Sequence, residues 1–291
     1  MLKLSAELEI AKSTLSPMTT YDVELGRLNS PKQKLLSRFP KQAMYARYIK
    51  ALFRGEVEIR LLPLLCNSSL VSLDIGAHHG IYTLGTSLFS RRVVAVEPQY
   101  HLARTLRKSM PPRVTLIEGA LSSEAGEATL RIPLREWDSL SHLDFGGEDD
   151  SRWRSQRVAL FRMDDIVQEA VGFVKVDVEG HEREVLEGAL RIITSDKPVF
   201  LIEIEERHRP GSVAEAHGYS SHFVDGNAIR PIDEFDLHQH QSASLIGKGD
   251  RASYKDYINN FIFVPPHVSL PATVPSPWRA LSVSLGRILA G

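Results

Sequence analysis

An α/β fold built on a mostly parallel sheet with helices on both faces is what this sequence predicts, and three observations carry it. Short apolar runs at LVSLDIG (70–76), VVAVEP (93–98), VTLIEGA (114–120), FVKVDVEG (173–180) and VFLIEIE (199–205) do not alternate with polar residues. That is the texture of strands buried on both sides. Helix-like stretches at 81–89, 101–110 and 182–195 separate the runs, as crossover helices between parallel strands do. The first run also breaks into Gly76-Ala77-His78-His79-Gly80 directly before a helix, a turn whose small residues and free N–H groups let a ligand approach the backbone.

The remaining elements follow in chain order. The first sixty residues hold eleven basic and six acidic side chains, and Met44, Tyr45, Tyr48, Ile49, Leu52 and Phe53 recur at helical spacing. Residues 1–69 are therefore expected to form a basic helical cap. A polar insertion is expected around Trp137 to Arg157, carrying the acidic patch Glu148, Asp149 and Asp150. Beyond Glu206, the Asp225–Gly226 pair signals a hairpin, and NNFIFVP (259–265) can supply an antiparallel partner to a strand at 219–224. Residues 266–291 form a Pro-rich tail with a short terminal helix. Its Trp278, Leu281, Leu285, Ile288 and Leu289 suit packing against the domain or a second subunit of a homodimer, with a peripheral membrane surface as the alternative.

Composition removes several classes. The 291 residues include a single cysteine, Cys66, so a disulfide framework is excluded. No run approaches the roughly 18 uninterrupted apolar residues of a membrane span. Glu7 and Glu9 interrupt what would be the apolar core of an export signal, so a cytoplasmic protein is expected. The net charge of −1 argues against a nucleic-acid partner.

Chemistry is concentrated where the strands end. Glu97 closes the second strand 21 residues after Gly76 (97 − 76), placed to accept hydrogen bonds from ribose hydroxyls. A dinucleotide fingerprint would need glycine where His78 stands, and Asp74 would repel a diphosphate. The combination suits a cationic nucleoside cofactor, S-adenosylmethionine (SAM).

DIGAHHG, VEP, VKVDVEGHEREVLEGA, KPVFLIEIE and NNFIFVP together resemble the successive signatures of the FkbM-type SAM-dependent methyltransferases, over roughly residues 70 to 265. The resemblance implies a Rossmann-like class I methyltransferase domain with a seven-stranded, mostly parallel sheet whose last strand is antiparallel. It implies O-methylation of a hydroxyl on a saccharide or glycosylated small molecule. Carried over by position, Asp74, Gly76, Ala77 and Gly80 line the methionine part of SAM, with His78 standing where the family usually has Asn. Glu97 holds the ribose with Pro98 shaping the turn, Gly119 and Ala120 border the adenine, and Asp177 sits beside the transferred methyl. A sugar hydroxyl needs a base, for which Asp177 and His181 are the first candidates and Glu179 and Glu203 supply further carboxylates. Asp177 and Glu203 could alternatively hold Mg²⁺ or Ca²⁺, although nothing in the spacing requires a metal. His208, His217, His222, His238 and His240 have no zinc-site spacing. The competing functions are a non-catalytic SAM-binding or glycan-interaction module and an NAD-dependent oxidoreductase. The latter is disfavoured by His78 and by the lack of a Tyr-x-x-x-Lys pair after the fourth strand.

Overall fold

The computed structural model describes residues 38–133, 142–144, 153–204, 214–241 and 257–290. Twelve strands are present among them: β1 (Val71–Ile75), β2 (Arg92–Glu97), β3 (Val114–Glu118), β4 (Ala120–Leu121), β5 (Gly126–Pro133), β6 (His142–Asp144), β7 (Trp153–Phe161), β8 (Val171–Val176), β9 (Val199–Glu203), β10 (Ser220–Asp225), β11 (Ala228–Pro231) and β12 (Asn260–Val264). The helices that matter below are α1 (Pro40–Arg54), α2 (Ile81–Ser87), α3 (Tyr100–Ser109), α4 (Glu182–Glu187) and α5 (Pro277–Ala290).

The main sheet has the order β11-β10-β12-β9-β8-β1-β2-β3. Its half from β9 to β3 is parallel throughout. β12 then runs antiparallel between β9 and β10, as the resemblance implies for the last strand. Eight strands are present rather than seven because the chain reverses at Asp225–Gly226 and β11 pairs antiparallel on the outer edge of β10. Every residue of β1 is buried, which explains its unbroken apolar sequence. On one face Val174, Val176 and Ile202 join Val185, Leu186 and Ile192. On the other, Phe173, Leu201 and Ile262 meet Met44, Tyr48 and Leu52 of α1 and Ala280 of α5.

The described parts of both chain ends therefore pack on the same sheet face. Tyr48 and Ser284 share a buried hydrogen bond of 3.0 Å, and the rings of Phe53 and Trp278 meet edge to face at 4.9 Å. The terminal helix is also longer than the short element expected, at 14 residues.

Two further expectations are corrected. The polar insertion is framed by a second sheet of order β4-β7-β5-β6, in which β5 and β7 pair over eight residues and Leu130, Ile132, Val158 and Leu160 form a small core. Alternation is confined to the short stretches Leu130–Ile132 and Val158–Leu160, too brief to mark strands in polar surroundings; Trp137 and the acidic patch lie outside the described residues. The helix expected over 182–195 is interrupted after Glu187 and resumes as a wide turn at Ile192–Asp196. Asp164 explains the break: its carboxylate accepts the N–H groups of Arg191 (2.8 Å) and Ile192 (3.1 Å), capping a new helical start.

Candidate active site

A cleft open to solvent lies at the carboxyl ends of β1, β2 and β8. Gly76, His78, Glu97, Pro98, Gly119, Ala120, Asp177, Glu179 and His181 line it, with Leu121, Leu130 and Leu143 added by the second sheet. Gly76 sets its floor. It has φ +81°, and a Cβ there would stand 1.7 Å from the carbonyl oxygen of Asp177, so the β1 and β8 tips approach as closely as backbone allows. The second sheet is tied to the rim: Gln156 donates to the Pro98 carbonyl at 2.6 Å and Tyr100 to the Arg157 carbonyl at 2.7 Å.

Glu97 is held by the turns around it. Its two carboxylate oxygens accept the backbone N–H groups of His78 (2.6 Å) and Gln99 (2.8 Å). Each oxygen keeps a lone pair for a further donor. Burial pushes its carboxyl up to about 7 despite these hydrogen bonds. Asp74 faces the opposite side of the sheet from the cleft lining, where Thr83 of α2 donates to it at 2.5 Å, and burial raises its carboxyl to about 6. Ala77 and Gly80 also lie outside the cleft lining, within the turn that shapes it.

The residue with the largest electrostatic role was not apparent as a site residue from the strand pattern. Lys175 pairs in register with Asp74 and is 1% exposed, a lone cation in an otherwise apolar strand. Its Nζ stands 3.6 Å from Asp177, 3.8 Å from Glu203 and 5.4 Å from the centre of the Tyr82 ring. Burial alone would discharge it, but Asp177, Glu203 and Glu56 hold it charged. Around it, Tyr82 donates to Glu56 at 2.7 Å, Asn260 donates to Glu56 at 3.3 Å, and Asn259 donates to Glu203. Oδ1 of Asn260 is buried without a hydrogen-bond partner. Burial and the neighbouring Asp177 hold the Glu203 carboxyl well above the usual range. The available signal was Lys175 itself, because a charged residue in a strand buried on both faces needs partners. Glu56, Tyr82 and the Asn259–Asn260 pair left no such signal, since they come from three separate segments.

The predicted catalytic residues thus divide. Asp177 belongs to both the cleft and the lysine cluster, Glu203 only to the cluster, and Glu179 and His181 only to the cleft. His181 is hydrogen-bonded to Ser122 at 3.0 Å, and its imidazole is shifted downward by burial, which favours the neutral ring. The Asp177–Glu203 pair does not fit a divalent cation, because the Lys175 ammonium already supplies the positive charge both carboxylates face. Among the described residues no group of three His, Cys, Asp or Glu side chains is arranged to hold a metal. Turnover is accordingly expected to survive overnight dialysis against EDTA, checked by assaying dialysed protein with and without added Mg²⁺.

The Methyltransferase FkbM domain profile matches residues 74–236, more than half of the chain. The chain belongs to the FkbM methyltransferase family. Its match begins at Asp74 and takes in the cleft, Lys175 and Glu203, while α1, β12 and α5 lie outside it. Among solved structures, the fold is similar to that of methyltransferase FkbM from Methylobacillus flagellatus, at 20% identity and a TM-score of 0.41 over 68% of this chain and 44% of that one. It is similar to an O-methyltransferase from Bacillus cereus solved in complex with SAH, at 13% identity and a TM-score of 0.40 over 88% and 94% of the two chains. It is similar as well to a tRNA (m1A58) methyltransferase from Aquifex aeolicus, at 11% identity and a TM-score of 0.36 over 73% and 69%. The chain spans less than half the length of the first of these. None of the curated proteins matches the sequence.

Proposed function

We propose that this FkbM-family protein is a SAM-dependent O-methyltransferase acting on a hydroxyl of a saccharide or glycosylated small molecule. The observation that carries the reading is the junction at Asp177, where the cleft lined by Gly76 and Glu97 meets the lysine-centred polar cluster. SAM bound in the cleft supplies an electrophilic methyl group on a sulfonium. Glu97 receives the ribose hydroxyls, and the Gly76 turn admits the amino-acid end close to the backbone. The Glu97 carboxylate in the cleft wall adds a negative charge that favours a cation.

On the other side of Asp177, the Asn260 side-chain carbonyl is without a donor, and the Glu203 carboxylate keeps lone pairs beside its contacts with Asn259 and Lys175, acceptors that a hydroxyl-rich molecule can satisfy. Glu203, with its raised affinity for a proton, takes the acceptor hydroxyl's proton as the O–C bond forms and the C–S bond breaks. Lys175 then neutralises the carboxylates that line the path. Isothermal titration with SAM tests the cofactor, and SAH release with a panel of glycosides tests the acceptor. A well-folded protein that binds no SAM overturns the reading.

The shifted carboxyls give a pH signature. Glu97 at about 7 and Asp74 at about 6 are protonated in the free protein on mild acidification. SAM affinity should therefore weaken several-fold as pH falls through 7, measured by titration across about pH 8 to 5.5. Glu97→Gln should lower affinity at the alkaline end and flatten this dependence. Stability of the free protein has the opposite sign. Both acids bind protons more tightly folded than unfolded, so their contribution is full below their ordinary values of 3.8 and 4.5 and is lost as pH rises from there through the folded values of about 6 and about 7.

A further inference from the structure

Six of the nine large apolar side chains exposed among the described residues cluster on the two helices outside the family match: Phe39 and Phe53 at the ends of α1, and Trp278, Val283, Leu285 and Leu289 on α5. Trp278 is 73% and Leu289 85% exposed. The two helices touch through the Tyr48–Ser284 hydrogen bond and the Phe53–Trp278 ring contact, so these side chains form one neighbourhood. Spacings of seven and four residues stack Trp278, Leu285 and Leu289 on one stripe of α5, while Ala280 and Ser284 face inward. The charges on the same helices are of one sign. Arg38 just before the first helix, Lys41, Arg47, Lys50 and Arg54 within it, and Arg279 and Arg287 in the second are all exposed, and neither residues 38–54 nor 277–290 contain Asp or Glu.

We propose that α1 and α5 together form a docking surface for an anionic lipid bilayer. A stripe of Trp and Leu flanked by Arg and Lys is the arrangement that lies in a membrane interface, with rings and aliphatic chains among the headgroups and cations against lipid phosphates. A second copy fits the face poorly, because an isologous contact would set seven positive charges against the same seven. The contact is peripheral, since no described helix is long and apolar enough to cross a membrane. Docking in this way sets the sheet face that carries Lys175 and the cap toward the bilayer, because α1 and α5 cover that face.

Co-sedimentation of the full chain with vesicles tests this. Phosphatidylcholine vesicles containing about a third phosphatidylglycerol should pull down most of the protein, pure phosphatidylcholine little, and high salt should release it. Trp278→Ser with Leu289→Ser should reduce binding to the anionic vesicles by about tenfold, as should Arg279→Glu with Arg287→Glu. All four positions are exposed, so melting temperature should stay near wild type and report that both variants fold. Equal binding to the two vesicle types, no binding to either, or variants that bind like wild type would overturn the proposal. So would light scattering that shows a dimer abolished by the same substitutions, which would assign the face to a second copy.

Discussion

Lys175→Met is expected to lower turnover by about two to three orders of magnitude while leaving SAM affinity within a few fold. The ammonium lies behind the cleft, so the cofactor does not touch it; its partners are Asp177, Glu203 and Glu56. Removing it leaves two half-buried carboxylates facing each other without a cation. Glu203, already held above the usual range, responds by binding its proton more tightly, which disables it as the proposed base. The acid limb of the pH–rate profile should therefore move to higher pH, an outcome that general loss of folding would not produce. Thermal stability should fall by about 3 kcal/mol at alkaline pH and less at acid pH, where protonation relieves the repulsion. Lys175→Arg keeps the charge and should recover part of the activity. Turnover and pH profile unchanged in Lys175→Met would remove the lysine from the site.

Gly76→Ala is expected to abolish measurable SAM binding and to cost about 3 kcal/mol of stability, seen as a melting temperature lowered by several degrees. The added methyl would stand 1.7 Å from the Asp177 carbonyl oxygen and would have to adopt φ near +81°. Neither neighbour can yield by side-chain rotation, because both are backbone at the tips of adjacent central strands. The relief available is to part β1 from β8 where the cleft floor and Asp177 are set. Titration with SAM and a melting curve check it; wild-type affinity in Gly76→Ala would show that the β1 turn is not part of the cofactor site.

How much of this was legible depends on whether the signal was local. The parallel strands declared themselves because burial on both faces demands unbroken apolar runs, and the Asp225–Gly226 pair marked the hairpin turn, though not that its second arm, β11, would extend the sheet to eight strands. The second sheet did not, since its two interior strands, β5 and β7, are half-exposed along most of their length and bury only short apolar stretches. Helical periodicity over 182–195 was real, yet the Asp164 carboxylate, 27 residues from Arg191, decided where the helix stopped.

The site shows the same division. Gly76, Glu97 and Asp177 were legible because each sits at a strand end whose position follows from the strand itself, and the structure gathers them around one cleft. Asp74 is expected from its position to line the methionine part of SAM, but its side chain lies outside the cleft lining and faces Thr83 and Lys175, a side set by strand alternation within the assembled sheet. By itself the sequence determined the α/β class, the carboxyl-edge turn and the family, all of which depend on residues near one another in the chain. Only the tertiary structure decided that a lysine would stand where a metal was conceivable, that Glu56, Tyr82 and Asn260 would close around it, and that the two chain ends would meet on one face. Those contacts join segments up to 236 residues apart, and packing, unlike propensity, leaves no trace in local spacing.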